Sequence, residues 1–205
     1  MIILEVDGIR KQFGPDPVLT DITFDVRPGQ RIGLVGPNGA GKTTLLHILE
    51  GREEADAGEV QLHSSVTLGF LEQQAEFEPE RTLWQEAESA LELFLAMQRE
   101  SLDIADRMGE LGDSGDSGEH DRLAARYDEL QHELERHDAF HLDHKIHRVL
   151  EGLGFTESTF QTPAQLLSGG EKNRLNLAKL LLADPDLMLL DEPSNHLDIE
   201  ATEWL

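Results

Sequence analysis

The chain has 205 residues, of which 39% are hydrophobic, and it contains no cysteine. This hydrophobic content is enough for a packed core, and the absence of cysteine excludes disulfides and thiolate metal sites. The 41 acidic residues outnumber the 17 lysines and arginines and give a formal net charge of −24, which excludes a broad basic surface for nucleic acid. No apolar run approaches the roughly 20 residues that span a bilayer, and the N-terminus lacks a signal-peptide pattern, so a cytoplasmic protein is expected.

The first part of the chain is predicted to contain strands around a single helix. Residues 3–13 and 19–29 alternate apolar and polar side chains, which is typical of half-buried strands. The segment "RIGLVG" (31–36) is predicted to be a short buried strand, and "GKTTLLHILEG" (41–51) a helix closed by its last glycine. Further strand is expected over residues 58–74.

The middle of the chain is predicted to form a helical hairpin. Apolar residues recur at helical spacing over 81–111 and again over 123–134, and the Gly-, Ser- and Asp-rich stretch 112–120 is predicted to be the tip. The hairpin is either a projecting arm or an ordinary part of a helical lobe. A helix in "IHRVLEGLGF" that ends at Gly152 or Gly154, a helix after the glycine pair of "LSGGE" and a buried strand in "DLMLLDE" follow.

The most specific motif is "GPNGAGKT", from Gly36 to Thr43, which matches G-x-x-x-x-G-K-[ST] between a predicted strand and a predicted helix. Glycines let backbone N–H groups curl around phosphates, and the N-terminus of the following helix adds positive potential. Lys42 is predicted to reach the β- and γ-phosphates, and the Thr43 hydroxyl to bind Mg²⁺. The alternative is a glycine-rich turn that happens to precede a helix.

Two adjacent acids end the strand predicted in "DLMLLDE". In phosphate-loop NTPases a second apolar strand carries an aspartate to the Mg²⁺ ion, which is the role predicted for Asp191. Glu192 is predicted to be the general base for the attacking water. The alternative is an acidic pair in solvent at the end of a strand.

The stretch "LSGGE" predicts a helix start that can bind an anion. Ser168 and Glu171 fit a capping box, and the glycines between them leave N–H groups free. Together, "GPNGAGKT", "LSGGE", "LMLLDEP" and "HLD", in this order, resemble an ABC-type nucleotide-binding domain over nearly the whole chain. The fold class implied is α/β: a P-loop NTPase of ABC type with an antiparallel β-subdomain and a helical subdomain that carries the hairpin. Residues 1–74 and 161–205 would form the ATP-binding core, and residues 75–160 the helical lobe.

The resemblance also implies ATP as substrate, Mg²⁺ as cofactor and a second ATPase domain whose ATP faces "LSGGE". Gln73 resembles a glutamine near Mg²⁺, although Gln74 stays open; Phe13 resembles an aromatic that stacks on adenine, with core packing as the alternative. Asp198 resembles an aspartate that communicates across the domain pair. The implied nucleotide contacts are Phe13, Gly36, Pro37, Asn38, Gly39, Ala40, Gly41, Lys42, Thr43, Thr44, Gln73, Ser168, Gly169, Gly170, Glu171 and Asp198, with Thr43, Gln73 and Asp191 at Mg²⁺ and with Lys42 and Glu192 as catalytic residues.

Within the ABC proteins, "SNHLD" resembles the "TNHLD" of the ABC-F family, and "EKNRLNLAKLLL" and "IEATEWL" point the same way. ABC-F proteins are soluble, carry two ATPase domains in one chain and mostly act on ribosomes. The chain is therefore expected to be an N-terminal ATPase domain of a ribosome-directed protein, to bind ATP and to hydrolyse little by itself. The stretch 112–120 is acidic, and RNA phosphates would repel it. This composition differs from that of an arm that contacts RNA.

Two other functional classes share some of these features. The ATPase subunit of a membrane transporter has every nucleotide motif and would bind a permease, and a chromosome-type ABC ATPase would carry a longer coiled coil. Four histidines, His137, His141, His144 and His147, also lie at helical spacing, and they form either a metal site or a solvated helix face.

Overall fold

The computed structural model of the chain describes residues 1–71, 77–111, 117–137 and 139–192. Within these residues the chain forms two compact units. The first unit contains residues 1–71 and 184–192, and the second runs from residue 77 to residue 183. The predicted helical lobe thus falls in the second unit, together with residues 161–183.

The first unit contains a three-stranded antiparallel sheet. Its strands are β1 (Leu4–Phe13), β2 (Asp16–Val26) and β3 (Ala57–Leu62), and β1 lies in the middle. Buried and exposed residues alternate over residues 4–7 and again over residues 9–12, as a strand with one covered face requires, and the phase shifts at Gly8, where the register is irregular. The alternation in the sequence therefore predicts this sheet correctly.

Helix α1 (Lys42–Glu50) packs its apolar face into the core of the first unit. Its buried leucines and isoleucine share one hydrophobic cluster with residues of β1 and with Leu189. Gly51 closes the helix at φ 84°, a left-handed conformation, and its N–H donates to carbonyls of the last turn. This confirms the predicted helix and its stop.

Two parallel strands complete the first unit. They are β4 (Leu68–Leu71) and β5 (Leu187–Leu190), paired from Leu68 with Leu187 to Leu71 with Leu190. At the entry to the pair, the Thr67 N–H and hydroxyl both donate to a single oxygen of Asp186, each at 2.8 Å. This contact sets the register, so that β5 ends just before Asp191.

The strand predicted at residues 31–36 is wrong. The structure describes this segment without a strand, and the side chains of Ile32 and Val35 are 49% and 95% exposed. An apolar run becomes a strand only when a neighbouring strand satisfies its N–H and C=O groups. None of the strands in the described part of the chain pairs with residues 31–36.

The second unit is helical. Its helices are α2 (Leu83–Ser89), α3 (Glu92–Leu111), α4 (Ser117–Arg136), α5 (Leu142–Gly152) and α6 (Gly169–Ala183), with short 3₁₀ turns at Glu157–Thr159 and Ala164–Leu166. The single helix predicted over 81–111 is therefore two helices, since the chain breaks between α2 and α3. Within the described residues, no helix has both the length and the apolar composition that crossing a membrane requires.

Helices α3 and α4 form the predicted hairpin. Arg107 contacts Glu119, and Arg126 contacts Glu100, so positions later on α4 meet positions earlier on α3. The two helices are thus antiparallel. The predicted tip is too long, because α4 already begins at Ser117; residues 112–116 lie outside the described part.

Candidate functional site

The phosphate-loop motif wraps around the ammonium group of its own lysine. Lys42 is the first residue of α1, and its Nζ donates to the carbonyl oxygens of Gly36 at 3.0 Å and of Pro37 at 3.3 Å. The loop is exposed from Gly36 to Ala40, and Gly41 is half-buried. The cation and the turn that precedes the helix therefore form one concave structure open to solvent.

Gly41 fixes how closely this loop approaches the sheet. It precedes α1 with φ 89°, where an L-residue is strained, and a Cβ added there would lie 2.6 Å from the Val18 Cγ1 atom and 3.0 Å from the Leu19 Cδ2 atom. Gly41 makes no side-chain cap, so the first N–H groups of α1 are not covered by a capping side chain. Such a helix start favours an anion.

Asp191 follows β5 and meets the second residue of α1. The Thr43 hydroxyl donates to the Asp191 carboxylate at 2.7 Å, although the two residues are 148 positions apart in sequence. Asp191 is buried, with 6% of its surface exposed. A hydroxyl and a carboxylate oxygen side by side are the hard oxygen ligands that Mg²⁺ prefers, so this pair fits the predicted ion.

Glu192 lies beside Lys42. One of its carboxylate oxygens is 3.8 Å from the Lys42 Nζ atom, and its side chain is 44% exposed. Its backbone has φ 49°, a left-handed conformation that is uncommon for a residue other than glycine. Because of this turn, two successive acids reach two successive residues of α1. In an extended strand, the side chains of two successive acids would point to opposite faces. The pair is therefore not a free acidic end in solvent.

Comparisons with known proteins agree with this geometry. A model of the ABC transporter family matches residues 19–195. The chain belongs to this family. Over nearly its whole length it is 36% identical to an ABC transporter F family member 5 from Arabidopsis thaliana and 35% identical to an energy-dependent translational throttle protein EttA from Mycobacterium tuberculosis. The predicted likeness to ABC-F proteins is thus confirmed.

The fold of this ABC domain is also found in solved structures. An ATP-binding subunit of an ABC transporter matches 98% of the chain and 71% of its own length with a TM-score of 0.66, at 20% identity, which supports the predicted ABC-type fold. The match with the Arabidopsis thaliana protein includes 98% of the chain but only 29% of that protein's length. The match with the Mycobacterium tuberculosis protein includes 99% of the chain but only 35% of that protein's length. The chain therefore spans about a third of these relatives.

Phe13, the predicted adenine contact of the ABC domain, lies at the end of β1 and is 55% exposed. It does not serve the core, which removes the packing alternative. The Lys11 Nζ atom lies 5.3 Å from its ring centroid and is held by Glu53 and by the Glu54 carbonyl. The hydrogen bond to Glu53 is the main cause that raises the pKa of Lys11, so this cation stays charged beside the ring.

The "LSGGE" stretch forms the predicted capping box at the start of α6. The Ser168 N–H and hydroxyl donate to one oxygen of Glu171 at 2.8 Å and 2.6 Å, and the Glu171 N–H points back to the Ser168 hydroxyl at 3.4 Å. These bonds from the Ser168 side chain and backbone lower the pKa of Glu171. Gly169 and Gly170 carry no side chain, so the first turn of α6 stays open to a ligand.

Three predicted residues lie outside the described part of the chain. These are Gln73, its alternative Gln74, and Asp198. Among the described residues no group of three or more His, Asp or Glu side chains could hold a metal ion, and the histidine series instead makes pairwise contacts, such as His147 with Glu157 at 2.7 Å. The metal alternative for these histidines therefore has no support from the described residues.

Sequence reasoning missed two features of the ABC domain. Lys11 lies on the same face of β1 as Phe13 and contacts its ring. Their spacing of two residues on a predicted strand could have indicated this contact, because residues i and i+2 of a strand share a face. The contact between Glu86 of α2 and Lys179 of α6 had no signal, because the two residues are 93 positions apart in the sequence.

Proposed function

We propose that this ABC domain binds ATP with Mg²⁺ and hydrolyses it as one of two ATPase domains of an ABC-F-type protein that acts on ribosomes. One observation carries the ATPase proposal: two consecutive residues at the start of α1 meet two consecutive acids after β5. Thr43 pairs with Asp191 at 2.7 Å, and Lys42 lies 3.8 Å from Glu192. A phosphate-loop lysine, an ion-binding hydroxyl, an aspartate and a base are the parts that phosphoryl transfer to water needs.

The phosphates would bind in the loop. The backbone of the loop from Gly36 to Gly41 would surround them: the N–H groups of Gly36, Asn38, Gly39, Ala40 and Gly41 would donate, Pro37 has no N–H and would shape the turn, and Thr44 would lie in the first turn of α1. Lys42 now donates to two neutral carbonyls, and it would exchange these for charged phosphate oxygens, which form stronger hydrogen bonds. Phe13 would stack on the adenine ring, since its side chain is exposed.

Thr43 and Asp191 would hold the Mg²⁺ ion, with Gln73 as a further ligand. The ion neutralises charge on the β- and γ-phosphate oxygens when it is bound. Glu192 would accept a proton from a water molecule whose oxygen bonds to the γ-phosphorus, while the bond from that phosphorus to the ADP oxygen breaks. Lys42 lies 3.8 Å from one oxygen of this carboxylate, so the base and the cation would both face the γ-phosphate.

A second ATPase domain would complete the site. The open first turn of α6, with Ser168, Gly169, Gly170 and Glu171, would contact the γ-phosphate held by that partner, and Asp198 would face it. The length of the relatives, about three times that of the chain, is consistent with a partner domain in the same protein. ATP hydrolysis by residues 1–205 alone would accordingly be slow.

The ribosome is proposed as the target because of the named relatives. One of them is a translational throttle protein and another an ABC-F member. The hairpin has no lysine or arginine between Arg107 and Arg122. Contacts with RNA phosphates would therefore come from other surfaces of the protein. The protein would work in the cytoplasm.

The catalytic proposal is tested with Glu192→Gln in the full-length protein. We expect ATP affinity to stay close to that of the wild type, while turnover falls by about 100-fold or more, because the variant lacks the base. Glu59→Gln, at an exposed position of β3, is the matched control and should leave both unchanged. Wild-type turnover in Glu192→Gln would reject the assigned base.

The target is tested by fractionation. The Glu192→Gln protein, loaded with ATP, is expected to sediment with ribosomes and to be released when ATP is omitted. Recovery with membranes and a permease would instead identify the ATPase subunit of a transporter. Recovery in neither fraction would contradict the ribosome proposal.

A further inference from the structure

The last residues of β1 include a buried cation that the proposed ATPase chemistry does not use. Lys11 is only 9% exposed, although its side chain ends in a charge. Its ammonium group forms an ion pair with Glu53 and donates a hydrogen bond to the Glu54 carbonyl oxygen at 2.7 Å. The Asp56 carboxylate lies 3.8 Å from the same Nζ atom. The position of this ammonium group is therefore fixed by oxygen atoms of the segment 53–56.

This acidic segment is itself fixed at both of its ends. At one end, the Glu53 N–H donates to the His47 carbonyl of α1 at 3.2 Å. At the other end, the Asp56 N–H donates to the Arg10 carbonyl at 2.9 Å, and the Asp56 carboxylate accepts from the Gln12 N–H at 2.8 Å. The segment that holds the ammonium group is thus bound to both neighbours of the lysine in β1 and to the helix that follows the phosphate loop.

The ammonium group lies over the ring of Phe13. The distance from the Lys11 Nζ atom to the ring centroid is 5.3 Å, which is within the range of a cation–π contact. The two side chains are on the same face of β1 because they are two positions apart. The phenylalanine is 55% exposed, so its ring still offers surface to a ligand. A fixed cation therefore covers one part of the ring and leaves another part open.

A ring that is held in one orientation binds a nucleobase more tightly than a mobile ring. An exposed phenyl side chain has several rotamers, and stacking on a base requires one of them. Ordering a side chain on binding costs free energy, and a contact that fixes the side chain beforehand removes part of that cost. The ammonium group already binds oxygen atoms of Glu53 and Glu54, so it is better placed to orient the ring than to bind the base itself.

We propose that Lys11 is a positioning residue that orients the Phe13 ring for stacking on the nucleobase of ATP. This inference rests on the proposed function, in which Phe13 stacks on adenine. The cation acts on the base through the ring and does not contact the phosphates. Removal of the cation should accordingly weaken the binding of ATP and leave the binding of a polyphosphate without a base unchanged.

The test uses Lys11→Met in the full-length protein, because methionine removes the charge and keeps an unbranched apolar chain. Calorimetry should show an affinity for ATP that is lower by about three- to tenfold, since the ring must now be ordered on binding. The affinity for inorganic tripolyphosphate, which has the phosphates without the base, should equal that of the wild type. In steady-state assays KM should rise while kcat stays unchanged, because the lost interaction is the same before and during the reaction.

Two controls separate the positioning role from charge and from a direct contact. Arg10→Met removes the same charge one residue earlier in β1, where the side chain pairs with Asp21 at 3.2 Å, and it should leave ATP affinity unchanged. Adding Lys11→Met to Phe13→Leu should cause no further loss, because the cation then has no ring to orient. Urea denaturation of each variant gives the folded fraction to which the affinities refer. All these substitutions leave the second ATPase domain unchanged, so the differences report on this site.

The outcomes distinguish this inference from the proposed function. Wild-type protein that does not bind ATP would reject the proposed function. Wild-type protein that binds ATP, together with Lys11→Met of equal affinity, would reject the positioning role alone. An equal loss for tripolyphosphate would also reject it, and so would a further loss in the Phe13→Leu background. If Lys11→Met does not fold, its combination with Glu53→Gln, which keeps the net charge of the wild type, is measured in the same way with the same expected and contrary outcomes.

Discussion

Replacing Gly41 by alanine tests the packing of the phosphate loop against the sheet. The new Cβ would lie 2.6 Å from the Val18 Cγ1 atom, 3.0 Å from the Leu19 Cδ2 atom and 3.3 Å from the Val18 carbonyl oxygen. The backbone there has φ 89°, so alanine is strained even without these contacts. The left-handed strain costs about 1–2 kcal/mol, and forcing an atom into a packed region adds about 1–3 kcal/mol. We expect Gly41→Ala to lower the free energy of unfolding by about 2–5 kcal/mol.

Gly39 provides a matched control for this prediction. It has φ 82°, and a Cβ at Gly39 would meet no atom within 4 Å. Gly39→Ala therefore shares the strain of the backbone without the clash, and it should lower the free energy of unfolding by only about 1–2 kcal/mol. Adding Val18→Ala to Gly41→Ala removes the nearest contact and should recover part of the loss.

The assay is urea denaturation of each variant, followed by titration with ATP. Gly41→Ala should also weaken ATP binding more than Gly39→Ala does, because the loop must move away from Val18 before α1 can start. Equal losses of stability in the two alanine variants would refute the reasoning, since only the clash with Val18 and Leu19 distinguishes them.

Three further predictions concern single contacts. Phe13→Leu should weaken ATP binding by about 1–3 kcal/mol through lost stacking, as measured by calorimetry, and binding equal to the wild type would show that the ring does not touch adenine. Thr43→Val should abolish the Mg²⁺ dependence of ATP binding, because it removes the hydroxyl beside Asp191; retained dependence would contradict that site. The pKa of His147 is raised, first by its hydrogen bond with Glu157, so its stabilising effect is complete below the ordinary value of about 6.5 and is lost as the pH rises through the higher folded value. His147→Gln should remove this part of the pH dependence of unfolding, and an unchanged profile would contradict it.

The features that the sequence predicted correctly depend on short spacings. The Ser168–Glu171 capping box needs residues three positions apart, and the stop of α1 needs one glycine at Gly51, so both are visible in a local window. The phosphate loop is recognisable for the same reason: its glycines and Lys42 lie within eight residues. Local chemistry determines these structures almost completely.

The features that it missed depend on partners far away in the chain. The apolar segment 31–36 predicts burial, but a strand forms only beside another strand, and the described strands pair elsewhere. The break after Ser89 leaves the helical period of the apolar residues intact, so periodicity cannot detect it. The ion pair of Glu86 with Lys179 is likewise invisible, because helical spacing indicates which face is buried and not what faces it.

The left-handed backbone of Glu192 connects the fold with the proposed chemistry. A strand that simply continued would place Asp191 and Glu192 on opposite faces, and only one of them would reach α1. The φ of 49° costs about 1–2 kcal/mol for a residue other than glycine. The turn does place the carboxylate 3.8 Å from Lys42 while Asp191 keeps Thr43 at 2.7 Å. Backbone strain at this one residue is thus matched by a position that a general base beside the phosphate loop requires.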